Sequence, residues 1–225
     1  VQPSPNKISE ESASNEMRDL LAKVKTVHWL IETRIFNDKM KVDSLETIKY
    51  WRGATGSELS EGNDGIFRFF RNEKEAWLFD NADTQRDHWS DPKDATISSP
   101  FPSFINGKIS IGTSSSQIPP LTDFQWTGLQ MLEGEECYSF STLDGNLWIS
   151  RKDGLPRRMI IFKPICAEIL FKNSRVNLPL DEKMFVFEPR AGTWYHENVT
   201  GQSPKLMTFR PRLSTREQEK RKALF

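Results

Sequence analysis

Three histidines, two cysteines and several close pairs of carboxylates are the residues of this chain whose chemistry could turn over a substrate or hold a metal. His28, His88 and His196 are scattered, without the i, i+4 spacing that places two imidazoles on one helix face for zinc. Asp87 precedes His88 and Glu197 follows His196, but neighbours on a strand point to opposite faces, so both pairs read as surface pairs. Cys137 and Cys166 permit one disulfide without making a framework. Glu135 and Glu136 ahead of Cys137 disfavour a thiolate there. Asp80 with Asp83, and Asp91 with Asp94, have the proximity of a hydrolase's acid and base, yet such pairs are abundant on any surface. No nucleophile elbow, phosphate-binding loop or dinucleotide fingerprint occurs. Asn198-Val199-Thr200 matches the N-glycosylation acceptor pattern, which matters only in a eukaryotic secreted chain. The expectation is a protein that is not an enzyme and carries no cofactor and no metal.

Composition narrows the remaining classes. Lys and Arg number 31 and so do Asp and Glu, so no global field draws the chain to nucleic acid or to an anionic membrane. Mean hydropathy is −0.59, yet 15 Phe and 7 Trp supply the bulk for a core. No run approaches the roughly 18 apolar residues of a spanning helix.

Whatever site exists must be positioned by one helix and a set of strands. Residues 1–13 are rich in Ser, Pro and charge and read as a flexible leader. Met17, Leu20, Leu21, Val24 and His28 then recur at helical spacing, with Ser14 or Asn15 available as N-cap. From residue 27 the pattern changes to short β-branched and aromatic runs: 27–36, 44–51, 64–71, 75–80, 135–142, 145–151, 157–163, 165–172 and 184–188. Asp144-Gly145 and Asp153-Gly154 mark hairpin turns of an up-and-down meander. Several runs, such as Ile66 to Phe70, are apolar on both parities, which predicts a helix over one face of the sheet and a lid or ligand over the other. Residues 91–123 form an insertion in which prolines and serines alternate with Ile97, Phe101, Phe104, Ile105, Ile109 and Ile111; it reads equally as a lid or as a plug. Residues 14–204 then make one domain, and 205–225, with seven basic residues against two acidic, a basic C-terminal tail.

The second half carries a resemblance. A Gly-x-x-Cys strand (Gly134 to Cys137), a Leu-Trp-Ile strand (Leu147 to Ile149), a Gly-Leu-Pro-Arg turn (Gly154 to Arg157) and a closing Asn-x-x-Leu-x-x-x-x-Phe-x-Phe-x-Pro stretch (Asn177 to Pro189) resemble the LolA-like superfamily. These are predicted periplasmic proteins related to the outer-membrane lipoprotein carrier. The likeness spans roughly residues 15–195 and is more specific after 134. It lacks the carrier's usual early strand sequence, and no arginine is assigned to its lid-holding position.

The resemblance implies an α+β fold, a strongly curved antiparallel sheet or unclosed β-barrel wrapped over the N-terminal helix, with the insertion as its lid. It further implies a periplasmic or secreted carrier or binding protein for a lipid or lipoprotein acyl chain, with an envelope protein as a further partner. The alternative is an envelope sensor or protein-interaction module on the same fold, using a strand edge or the basic tail. Aromatic residues are the candidates for cavity and lid contacts: Trp29, Phe69, Trp77, Phe101, Phe104 and Trp148.

Overall fold

Ser9 opens the only α-helix among the described residues, accepting a hydrogen bond from the Ser12 amide at 3.2 Å, with Glu10 and Glu11 beside the positive helix end. The structure, a computed structural model, describes residues 8–62, 67–80, 85–95, 97–105, 108–112, 124–163, 165–187, 189 and 191–208. This helix, α1 (Glu10–Lys23), thus begins earlier than the Ser14 or Asn15 cap expected from the apolar spacing, because the cap is set by side-chain chemistry upstream of the first buried residue, Ala13. Of the expected leader, residues 1–7 lie outside the described residues.

Fifteen strands are described. They are β1 (Val27–Phe36), β2 (Val42–Arg52), β3 (Glu58–Gly62), β4 (Phe67–Arg71), β5 (Ala76–Asp80), β6 (Gln85–Trp89), β7 (Ser103–Ile105) and β8 (Lys108–Ser110). After the insertion follow β9 (Gln125–Leu132), β10 (Glu135–Ser141), β11 (Gly145–Ser150), β12 (Pro156–Ile161), β13 (Ala167–Val176), β14 (Trp194–Asn198) and β15 (Lys205–Thr208). All but β7 and β8 form one sheet in the order β15-β14-β6-β5-β4-β3-β2-β1-β13-β12-β11-β10-β9. Its two ends do not meet, so the sheet is an unclosed barrel. Every ladder is antiparallel except β14 on β6. The expected basic tail therefore starts with a paired strand, and its remainder, 209–225, lies outside the described residues.

The inner face carries α1. Ala13 and Met17 are fully buried against Trp29, Ile31, Tyr50, Tyr138, Leu147, Ile149, Met159 and Ile169, and Ile109 and Ile111 of the insertion join the same core. Helix and insertion thus share one face of the sheet instead of taking opposite faces. The outer face is covered in a smaller patch, where Leu59, Phe70 and Trp77 meet Phe185. Of the run 184–188, expected as a strand, Met184 and Phe185 belong instead to a 3-10 turn over Glu182–Phe185, Val186 is extended, and Glu188 lies outside the described residues. Its period-2 aromatics, Phe185 and Phe187, pack on top of the sheet, so the alternation is real but, among the described residues, no ladder forms there. Gly53 makes room for that turn, since a Cβ there would stand 2.8 Å from the Phe185 ring.

The motif residues behind the resemblance earn their places structurally. Asn177 bridges the helix exit: its Oδ1 accepts from the Lys25 amide at 2.8 Å and its Nδ2 donates to the Lys23 carbonyl at 3.3 Å. Gly154 has φ +74° and lies where a Cβ would come within 3.1 Å of Leu20, so the β11–β12 turn can approach α1. Leu155 after it is fully buried, and Arg157 pairs with Glu135 and Asp153.

Candidate functional site

Ladder register fixes which side chains share a face. Trp29, Tyr50, Ser60, Phe69, Leu78 and Asp87 stand in one cross-strand row from β1 to β6, on the inner face. Next to it runs Val27, Arg52, Glu58, Arg71, Ala76 and Trp89, two residues along each strand and so on the same face. The insertion lies against these rows. Phe101 stacks on Trp29 at 6.3 Å between ring centroids, Arg52 sits 4.1 Å above the Phe101 ring, and Arg18 of α1 sits 4.6 Å above Phe104.

Glu58 is the organising group. It is 5% exposed, and its Oε1 accepts a hydrogen bond from the Tyr50 hydroxyl at 2.9 Å and another from the Ser99 hydroxyl of the insertion. Its Oε2 accepts from Arg71 Nη1 at 3.2 Å, and Arg71 Nη2 donates to the carbonyl of Ile97. One buried carboxylate thereby ties three strands to residues 97–99. Burial, and then the neighbouring Glu58 charge, hold the Tyr50 hydroxyl well above its ordinary pKa, so it remains the donor. Gly112, just past β8, closes the seam, donating its amide to the Ser99 carbonyl at 2.7 Å. A Cβ there would meet Ser98 at 2.4 Å.

Between these parts lies a cavity of about 360 Å³ lined by Arg52, Gly56, Glu58, Ser98, Ser99, Phe101, Ser103, Ser110 and Gly112. That volume is within the range of small-molecule sites; its lining is mostly polar, with Phe101 the one aromatic side chain.

Of the six residues named from the sequence, the fold gathers four on the inner face. Trp29 is fully buried, Phe69 is buried with Ala76, Trp89 and Ile97, and Phe101 and Phe104 are half-buried on the insertion. Trp77 and Trp148 project from the other face. Trp77 packs with Phe187 and Tyr195 beneath the 3-10 turn, and Trp148 donates to Gln130 at 2.9 Å under the Arg158 guanidinium. Arg52, Glu58 and Ser99 carry no such signal in the sequence. Only tertiary pairing reveals them, because Glu58 belongs to a strand with a single large apolar residue, Leu59.

A second polar cluster arises from strand pairing. The parallel register of β14 on β6 sets His196 beside Asp87 and Glu197 beside His88. Two pairs that point apart within their own strands are thus exchanged into a His–acid contact on each face. His88 Nδ1 lies 2.5 Å from Glu197 and Nε2 lies 3.1 Å from Glu75, with the ring against Trp77 at 4.2 Å. His196 Nδ1 is 3.8 Å from Asp87, and the Asn198 side-chain amide donates to the same carboxylate at 2.9 Å. Burial pulls the His88 pKa down, but the bonds to Glu75 and Glu197 carry it above its ordinary 6.5. The bond to His88 in turn holds Glu75 below 4.5. A raised histidine stabilises the fold fully below its unfolded pKa and loses that contribution as pH rises through the folded value. A depressed carboxylate does so above its unfolded pKa and loses it as pH falls. The triad is therefore strongest between about 4.5 and 6.5. Thermal unfolding followed from pH 5.5 to 8.5 should show Tm falling with pH, with a flatter profile in His88→Gln. Equal slopes in the two proteins would dismiss the triad as a contributor.

Both cysteines are free thiols, and burial, reinforced by the Glu135 charge, pushes Cys137 up to about 11, which leaves it inert at neutral pH. Among the described residues no group of three or more His, Cys, Asp or Glu is placed to hold a metal ion, and no helix is long and apolar enough to cross a membrane.

No protein-family model matches the chain, and no curated protein matches it. Solved structures do. The chain is similar to a LolA superfamily protein from Nitrosomonas europaea, at 9% identity over 80% of this chain and 98% of that one, with a TM-score of 0.41. It is similar to a DUF1329 family protein from Desulfovibrio piger, at 14% identity over 78% of this chain and 96% of that one, with a TM-score of 0.40. LprF from Mycobacterium bovis is matched at 13% identity over 78% of this chain and 99% of that one, with a TM-score of 0.36. None of the three assigns a role to a residue of this chain.

Proposed function

We propose that this chain is a non-catalytic binding protein for an acyl chain or similar apolar ligand, taken up between the insertion and the inner face of the sheet. The observation that carries the reading is the seam itself. Phe101 and Phe104 are apolar, only half-buried and held over Trp29 and α1, and a 360 Å³ cavity opens beside Phe101. A ligand chain that slid beneath these rings would find an aromatic wall already formed, and each methylene withdrawn from water would contribute about 0.8 kcal/mol. The insertion is then both lid and plug: Ile109 and Ile111 stay in the core while the phenylalanines yield. Periplasmic or surface-anchored residence, with a lipid or lipoprotein chain as cargo, belongs to the same proposal.

The test is uptake of an apolar fluorescent probe by the chain and by Phe104→Asp. We expect uptake in the first and a loss of at least fivefold in the second, with circular dichroism unchanged. Unaltered uptake in a folded Phe104→Asp protein would count against the lid.

A second reading is favoured by one observation, the free edge of β9. Gln125–Leu132 holds no charged residue, and among the described strands only β10 pairs with it. Edges left this unguarded invite an extended segment of a partner protein. A chain that ignores apolar probes would turn the argument to that edge.

A further inference from the structure

We propose that the seam cavity selects amphiphiles with an anionic head, carboxylate or phosphate, and that the Arg52 guanidinium reads that head; this rests on the binding role proposed above.

The inference comes from how charge is divided along one ladder row. Arg52, Glu58 and Arg71 are register partners on β2, β3 and β4, so a single carboxylate stands between two guanidinium groups. Glu58 is committed to one of them. Its oxygens take Tyr50, Ser99 and Arg71, and Arg71 is further engaged at the Ile97 carbonyl. No ion pair within 4 Å joins Glu58 to Arg52, nor does Arg52 have another acidic partner among the described residues. The row is left with one positive charge in excess, on a half-buried side chain that lines the cavity.

What Arg52 does have is Phe101, with its guanidinium carbon 4.1 Å above the ring. A stacking contact uses the face of the guanidinium and leaves its N–H groups, which lie in the plane, pointing outward. Those donors form a rigid fork that matches two oxygens of a carboxylate or phosphate. The same contact holds the fork beside Phe101, the ring under which the ligand's chain would run. Head and chain are thus received by adjacent groups in one step. Of the other lining residues, Ser98, Ser99, Ser103 and Ser110 offer neutral hydroxyls, and the Glu58 carboxylate, the one anion of the lining, is taken up by Tyr50, Ser99 and Arg71.

Three ligands with the same chain separate the alternatives: oleate, oleoyl lysophosphatidate and the neutral monoolein, each titrated by displacement of the bound fluorescent probe. We expect oleate or the lysophosphatidate to bind at least tenfold more tightly than monoolein, and the tighter of the two names the source of the head. Arg52→Met should remove that advantage while leaving monoolein within twofold of its original affinity. Should that variant misfold, raising salt from 0.05 to 0.5 M with the unaltered chain must narrow the gap. Equal binding of all three ligands, insensitive to Arg52→Met or to salt, overturns the role of Arg52 and leaves the binding reading standing. Failure of all three to bind removes the binding reading and this one with it.

Discussion

Replacing Glu58 by leucine is expected to lower the unfolding free energy by about 3–5 kcal/mol, the cost of removing one partner from a buried ion pair. Leucine is close in volume and apolar, so a simple core position would accept it with little change. Here it would strand the Arg71 guanidinium, which is only 21% exposed, and the fully buried Tyr50 hydroxyl, neither of which can turn to bulk water. Arg71 Nε already lacks a partner in the native arrangement, which leaves that side chain little reserve. Residues 97–99 would lose their tie to the sheet at the same time, so the insertion should become a site of early protease cleavage. Glu58→Gln, which still accepts from Tyr50 and Ser99 but cannot neutralise Arg71, should fall between the two. Urea unfolding of the three proteins makes the comparison. A Glu58→Leu protein as stable as the original would mean that the row is ordinary packing.

Why the sequence did not disclose this group is a matter of period. Apolar alternation marks the stretches that form β1, β2, β4, β5 and β10 to β13, because each has Val, Ile, Leu, Phe, Tyr or Trp on the inner face. β3 reads Glu-Leu-Ser-Glu-Gly, with Glu58 and Ser60 on the inner face, so its buried side is its polar side. β6 and β14 escape apolar alternation for a related reason. Trp89 is the only large apolar residue of β6, and the rest of that strand is held by pairing with β5 and β14. A parallel partner more than a hundred residues away leaves no local mark, and with it went the exchange of His88 and His196 between Glu197 and Asp87. The turns, by contrast, were legible. Asp144-Gly145 and Asp153-Gly154 announce hairpins through local chemistry alone, and Gly154 takes the left-handed conformation that such turns favour. The curvature of the sheet has a partly visible cause too. Asn173, at φ +53°, gives β13 a bulge opposite Trp29 and brings the Ser174 hydroxyl to the indole N–H at 3.1 Å.

That bulge bears on the tryptophans, which composition treats alike and the fold does not. Trp29→Ala is expected to destabilise the protein by about 3–5 kcal/mol, as truncation of a buried aromatic does. Its ring is fully buried, stacked on Tyr50 at 5.4 Å, edge-on to Phe171 at 5.6 Å and roofed by Phe101. None of these neighbours can collapse into the space, since Tyr50 is fixed by Glu58 and Phe171 by its place in β13. Trp148→Ala removes as large a side chain from the outer face, where it is half-buried and makes one hydrogen bond to Gln130 and one cation–π contact with Arg158. Its cost should be about 1–2 kcal/mol. The same pair of variants separates stability from binding. Trp148→Ala should take up an apolar probe as the original does, whereas Trp29→Ala, assayed well below its lowered Tm, should show altered uptake because the wall behind Phe101 is gone. Similar losses of stability in the two variants would mean that the inner and outer faces are not distinguished as the ladder register requires, and the site built on that register would fall with it.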